Sequence, residues 1–118
     1  MGANLVWGKG FKVEDYQSPL GKVQPCVVGI DGGFDILSWT SVREMQSLAK
    51  QHGVDEDEWP VYSEETDGME VPIEEAETLS RQLRTSLAQV DPHVIEGSYW
   101  LRTIHRLLEE GNVFYIVN

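Results

Sequence analysis

The residues of this chain that could carry chemistry are one cysteine, three histidines and twenty carboxylates. Cys26 stands in an apolar run, Cys-Val-Val, where a thiol usually behaves as a small hydrophobe rather than as a nucleophile. His52, His93 and His105 pair neither with the cysteine nor with one another at the spacing of zinc ligands. The sequence therefore predicts no catalytic residue, no metal site and no cofactor.

Two short motifs suggest ligand sites but fail on spacing. The run 8–10, Gly-Lys-Gly, begins like a dinucleotide fingerprint, yet Val13 stands where the third glycine belongs. The acidic run 55–58 suggests calcium, but Pro60 occupies the sixth position, where an EF-hand loop needs glycine. A turn and a solvated acidic run are the simpler interpretations.

The net charge of −11 comes from one stretch of the sequence. Residues 1–50 and 81–118 are each neutral, whereas residues 51–80 hold eleven acids and no lysine or arginine. All eleven acids lie within 55–77. Carboxylates repel phosphate backbones and anionic lipid headgroups, so we expect neither direct nucleic-acid binding nor membrane binding. The partners that this charge attracts are basic proteins.

Some of these acids have a local structural explanation. Three of them stand in the opening turns of a predicted helix, where carboxylates favour the positive end of the helix dipole: Glu74, Glu75 and Glu77. Asp55 and Glu58 have the spacing of a helix-capping motif.

The other acids surround Trp59 and Tyr62 in a connection, residues 54–71, that has no helical or strand period. Two interpretations of these aromatic residues stay open. They pin the connection to the domain, or they are partly exposed anchors in an acidic rim that binds a basic protein. On the second interpretation, the partner-binding residues are Asp55, Glu56, Asp57, Glu58, Trp59, Tyr62, Glu64, Glu65 and Asp67.

Four arginines form two helical pairs in the second half of the chain: Arg81, Arg84, Arg102 and Arg106. A basic patch opposite the acidic rim is one interpretation, provided that the two helices pack side by side. Ion pairs with Glu77 and Glu109, together with solvation, are the simpler one.

In the predicted order of secondary-structure elements along the chain, strands come first and helices follow. Apolar runs predict strands at 5–7, 11–13, 26–30, 34–39 and 113–117. The sequence Asp-Gly-Gly at 31–33 predicts a hairpin between the third and fourth strands.

Helical periodicity predicts three helices. They run from Ser41 to a stop at Gly53, from Pro72 to Val90, and from Asp91 or Ser98 to a stop at Gly111. This order predicts a single α+β domain, residues 1–118, with a mostly antiparallel sheet and about three helices packed on one face. A single cysteine, no signal-peptide pattern and no long apolar run predict a cytoplasmic protein.

Two functions fit this reading. The first is a non-enzymatic acidic module that binds a basic protein, as immunity proteins neutralise nuclease toxins or as a nucleic-acid mimic occupies a DNA-binding protein. The second is a small enzyme or ligand-binding domain with a pocket between sheet and helices, lined by Trp39, Tyr99 or Trp100. A flat acidic face with exposed aromatic residues would favour the first, and a deep apolar pocket the second.

Overall fold

The computed structural model describes residues 2–62 and 71–117 of the chain. The strands in this part are β1 (Gly2–Gly8), β2 (Phe11–Gln17), β3 (Val23–Gly29), β4 (Gly33–Ser38), β5 (Val61–Tyr62) and β6 (Val113–Val117). The helices are α1 (Trp39–Gln51), α2 (Ile73–Leu87), α3 (Pro92–Glu96) and α4 (Tyr99–Glu109), and Glu56–Glu58 forms a single 3-10 turn. The predicted α+β class is confirmed.

Four of the strands form one sheet in the order β4-β1-β6-β5. β1 pairs antiparallel with both β4 and β6, and the two-residue β5 pairs parallel with β6. The C-terminal strand therefore inserts between an early strand and a later one, as its continuous apolar sequence suggests. All five residues of β6 are buried.

One face of the sheet is covered by helices. Ala3 and Leu5 of β1, with Phe114 and Ile116 of β6, share a core with the buried residues of α1, α2 and α4. In α4 these residues recur three and four positions apart, which places them on one side of a helix: Leu101, Ile104, Leu107 and Leu108. The prediction of helices on one face of the sheet is confirmed.

The opposite face is partly covered by a two-stranded ribbon of β2 and β3. Phe11 and Val27 of the ribbon pack against Tyr115 on β6. The rings of Phe11 and Tyr115 meet edge to face with centroids 5.2 Å apart, and the Tyr115 hydroxyl donates to the Val27 carbonyl at 2.9 Å.

The predicted hairpin between β3 and β4 is wrong. β3 pairs with β2, and β4 pairs with β1, although Asp31 between β3 and β4 has the expected positive φ of 50°. A Cβ atom at Gly29 or Gly32 would overlap the Trp7 carbonyl oxygen. The glycines at this point thus allow the chain to cross β1 at close range and change layers, instead of turning back within one sheet.

Two helix boundaries also differ from the prediction. α1 begins at Trp39 rather than at Ser41, because the Ser38 hydroxyl caps it by accepting the Ser41 N–H at 3.1 Å. The third predicted helix is two helices, since Asp91 caps α3 and Ser98 caps α4. In residues 2–62 and 71–117 no helix has the length and apolar character needed to cross a membrane.

Candidate protein-binding surface

The acidic run 55–58 forms a compact turn that Glu58 holds together. One carboxylate oxygen of Glu58 accepts the backbone N–H of Asp55 at 2.7 Å, and the other accepts the Ser86 hydroxyl at 2.6 Å. The capping relationship predicted from the spacing of Asp55 and Glu58 is present. Glu58 is half-buried and ties the turn to α2, so its charge serves the fold.

Trp59 lies in the core and is 3% exposed. Its ring meets Phe114 of β6 edge-on, with centroids 6.3 Å apart. Of the two interpretations, pinning of the connection to the domain applies to this residue. A role as an exposed anchor is excluded for Trp59, because a partner could reach it only by opening the core.

Tyr62 lies at the surface of β5 and is half-buried. Its hydroxyl donates to a carboxylate oxygen of Glu75 at 3.5 Å. Burial, followed by the negative charge of Glu75, raises the pKa of Tyr62 to about 12. Three of the predicted binding residues, Glu64, Glu65 and Asp67, lie outside the described residues.

Four exposed carboxylates remain around these contacts, and we call them the acidic flank: Asp55, Glu56, Asp57 and Glu75. Among residues 2–62 and 71–117, one ion pair involves these four carboxylates, and it joins the Lys50 ammonium group to Glu56 at 3.9 Å. Both of these side chains are more than half exposed, so their attraction is weak and is screened by salt. Most of the charge on this flank is therefore uncompensated.

The body of helix α2 separates the acidic flank from the two arginines of that helix, Arg81 and Arg84. On one side, Glu75 meets Tyr62 and Ser86 meets Glu58. Glu75 and Ser86 are eleven positions apart in the helix, which corresponds to about 16 Å along its axis at 1.5 Å per residue. On the other side, Arg81 pairs with Glu77 at 3.3 Å, and Arg84 pairs with Glu109 on α4 at 3.6 Å.

The buried stripe of α2 lies between these two sides: Ala76, Ser80, Leu83 and Leu87. Because this stripe fixes the rotation of the helix, it also fixes which charged side chains lie on each flank.

A cleft of about 590 Å³ lies on the sheet face opposite the helices, between the ribbon and the sheet. We call it the ribbon cleft. Val6 and Tyr115 line its sheet side, and Cys26 lies on its ribbon side. Two exposed aromatic residues stand at its mouth, Tyr16 at 59% and Phe34 at 72% exposed.

A charged pair also lines the ribbon side of the cleft. The Lys12 ammonium lies 2.8 Å from the Glu14 carboxylate, and the hydrogen bond to Glu14 raises the pKa of Lys12. The position of the cleft differs from the predicted one between sheet and helices. Trp39, Tyr99 and Trp100 do not line it.

This cleft was not predicted from the sequence, although one signal for it is present. In β4, Leu37 faces the helices, whereas Phe34 and Ile36 face the other way and pair with Val6 and Asn4. A strand with large apolar residues on both faces indicates that both faces of its sheet have something to contact.

The chain matches no protein-family model, and neither a curated protein nor a solved structure is significantly similar to it.

Proposed function

We propose that this chain is a non-enzymatic binding module whose acidic flank docks on a basic protein surface. The observation that carries the proposal is the segregation of charge across α2. Exposed carboxylates lie on one side of the helix, with Glu75 near its start and Asp55, Glu56 and Asp57 on the turn that contacts Ser86 near its end. Arg81 and Arg84 pair on the other side. A partner with a cationic groove would meet negative charge near both ends of α2 there.

Because Trp59 is buried, the proposed interface does not include its indole ring. With its indole in the core, recognition on this flank relies on charge and on the half-exposed Tyr62. In such interfaces complementary charge mainly raises the association rate, because unscreened charges steer the encounter of the two proteins. The expected partner is a protein that itself binds phosphate groups, as in inhibition by an immunity-protein-like module or by a nucleic-acid mimic.

The length of the acidic flank suits that kind of partner. One DNA strand advances about 3.4 Å per phosphate along the helix axis, so the two ends of the flank, about 16 Å apart along α2, span roughly five phosphates. Carboxylates held on a capped turn and on a helix occupy fixed positions, which reduces the entropy lost on binding.

Affinity capture from the native host at 50 mM salt tests the proposal. The bait is compared with a Glu56→Gln/Asp57→Asn variant, which leaves the structural Glu58 intact. We expect a basic protein that binds the wild type, binds the variant at least tenfold more weakly, and is released near 300 mM salt. The matched control is Glu96→Gln/Glu110→Gln, which removes two exposed charges elsewhere. Equal recovery by both variants and wild type would refute the role of the flank.

The ribbon cleft supports a second candidate, the binding of a small apolar molecule. Its volume falls within the range of known ligand pockets, about 300–1,000 Å³, and two aromatic side chains at its mouth are exposed to water. Titration with an anilinonaphthalene dye would show saturable fluorescence that Phe34→Ser lowers and that Tyr99→Ser, at an exposed aromatic residue elsewhere, leaves unchanged. Identical titrations with both variants would contradict this function.

A further inference from the structure

A second cavity, of about 160 Å³, brings together cations from two separate parts of the chain. Lys9 reaches it from the turn between β1 and β2, and Arg81 and Arg84 reach it from α2. Asn112, which precedes β6, completes its lining together with Gly111. We call Lys9, Arg81, Arg84 and Asn112 the cationic pocket.

Asn112 is the unusual member of this group. The residue is only 6% exposed, and its side-chain oxygen is buried without a hydrogen-bond partner among the described residues. The turn holds Asn112 in place through a positive φ of 84° at Gly111 and a hydrogen bond from its own N–H to the Leu107 carbonyl. Buried amide groups normally have partners, and an oxygen in this place would need a donor. A 180° turn of the amide about its last bond puts the NH₂ group in the same place, and the partner that it then lacks is an acceptor.

The cations of the pocket keep donors to spare. The Lys9 ammonium donates one N–H to the Glu110 carbonyl at the end of α4, and an ammonium has three. Arg81 and Arg84 each contact a carboxylate through a single nitrogen, at 3.3 and 3.6 Å, although a guanidinium carries five N–H donors. The ion pairs with Glu77 and Glu109 expected from the sequence are thus present, but they leave most of the donors unused.

The balance of charge also favours an anion. Three cations of the pocket face two carboxylates, Glu77 and Glu109, and the second of these also lies 3.8 Å from His105. The pocket is therefore a locally positive site in a chain whose net charge is −11.

We propose that the cationic pocket binds a tetrahedral oxyanion of the phosphate class. Two guanidinium groups from α2 and an ammonium group from the turn between β1 and β2 surround the pocket, which suits an anion with oxygens in several directions. With its amide turned so that the NH₂ group faces the anion, Asn112 would add a neutral donor from the buried side. The site lies across α2 from the acidic flank and does not depend on the function proposed for that flank.

The phosphate group could be free or part of a larger molecule. A groove of about 520 Å³ adjoins the pocket and shares Arg81 and Arg84 with it, and Thr85 and Gln89 line its far side. A phosphate monoester could place its phosphate in the pocket and its body in this groove.

Titration followed by ¹H–¹⁵N NMR tests the proposal. Sodium phosphate is added at pH 7.5 and constant ionic strength, with sodium chloride and sodium acetate as separate arms. We expect saturable shifts of the Asn112 side-chain NH₂ and of the Arg81 and Arg84 Nε–H signals with phosphate. Adenosine monophosphate distinguishes the source: tighter binding with added shifts at Thr85 and Gln89 indicates a monoester, and equal binding indicates the free anion.

Three variants test whether phosphate binds at the residues of the cationic pocket. Arg81→Gln/Arg84→Gln should weaken phosphate binding about tenfold or more, since each charged hydrogen bond contributes substantially to affinity. Arg102→Gln/Arg106→Gln removes the same charge from α4 outside the pocket and should bind as the wild type does. Lys9→Gln, at an exposed turn residue, provides a second loss-of-binding variant that spares both helices.

Three results would overturn the proposal. They are a linear response without saturation, an equal response to chloride or acetate, and equal weakening by the two arginine variants. The Glu56→Gln/Asp57→Asn variant should bind phosphate normally, so failure of the acidic flank as a docking surface would leave this site untouched.

Discussion

The hydroxyl group of Ser80 on α2 contacts the backbone N–H and carbonyl of Phe114 on β6, which a neighbouring strand would otherwise pair. Its oxygen accepts the Phe114 N–H at 3.0 Å and lies 2.9 Å from the Phe114 carbonyl, to which it can donate. β5 is too short to pair with this part of β6, because its two residues reach only Ile116 and Val117. A buried serine thus satisfies a strand edge inside the protein.

Replacing Ser80 by alanine should destabilise the fold by about 1–3 kcal/mol, because it removes the acceptor of the buried Phe114 N–H. It also removes the single hydroxyl donor that lies 2.9 Å from the Phe114 carbonyl and 2.8 Å from the Ala76 carbonyl. Urea unfolding measures the change. Thr78→Ala, at an exposed position of the same helix, should change the free energy of unfolding by no more than about 0.5 kcal/mol. Similar values for the two variants would show that the Ser80 contact does not stabilise β6.

Trp59 anchors the connection before β5 through its contact with Phe114. We expect Trp59→Ala to cost about 3–5 kcal/mol, as large aromatic truncations in cores do. Trp59→Phe should cost much less, because it keeps an aromatic ring against Phe114 and removes an indole N–H that has no partner among the described residues. Thermal unfolding by circular dichroism ranks the two variants, and equal losses would contradict this assignment.

Glu58 should behave unlike the acids beside it. Glu58→Ala removes the acceptor of the Asp55 N–H and of the Ser86 hydroxyl, and should cost about 1–2 kcal/mol. Asp57→Ala, one position earlier on the exposed turn, should stay within about 0.5 kcal/mol. A differential scanning calorimetry comparison of the two variants tests whether Glu58 serves the fold rather than the surface.

Two tyrosines should make the free energy of unfolding fall as the pH rises into the alkaline range. Burial raises the pKa of both Tyr62 and Tyr115 to about 12, with added contributions from Glu75 and Cys26 respectively. An unfolded tyrosine titrates near pH 10. Since the folded pKa is the higher one, the stabilisation is fully present below about pH 10 and is lost as pH rises toward 12.

Absorbance at 295 nm follows this ionisation directly. Removing either ring hydroxyl, by Tyr62→Phe or Tyr115→Phe, should delete one of the ionisation steps near pH 12. It should also reduce the fall in stability between about pH 10 and 12. A titration curve in which the late steps survive both substitutions would contradict the assignment.

Several features could be predicted because they depend on residues close together in the chain. The spacing of Asp55 and Glu58 specifies a capped turn, since a carboxylate three residues on reaches the preceding N–H. The stripe of apolar residues in α4 specifies a helix with one buried side. The apolar run 113–117 specifies a strand that is covered on both faces.

Other features depend on residues that are distant in the chain. The Asp-Gly-Gly sequence at 31–33 has the composition of a hairpin turn, but the pairing of β4 with β1 decides what it connects. The location of Trp59 depends on Phe114, which lies far along the chain. The cationic pocket depends on Lys9 and Asn112 approaching α2 from opposite ends of the sequence.

By itself, the sequence determined the α+β class, the capped acidic turn and the concentration of negative charge in residues 55–77, because composition and short-range periodicity control these properties. Tertiary structure alone decided which acids stay exposed and that Trp59 is buried. It also decided that α2 places Glu75 on one flank and Arg81 and Arg84, with Glu77, on the other. The physical reason is that burial and charge pairing are set by neighbours in space, and the rotation of α2 depends on how its apolar stripe packs against β6.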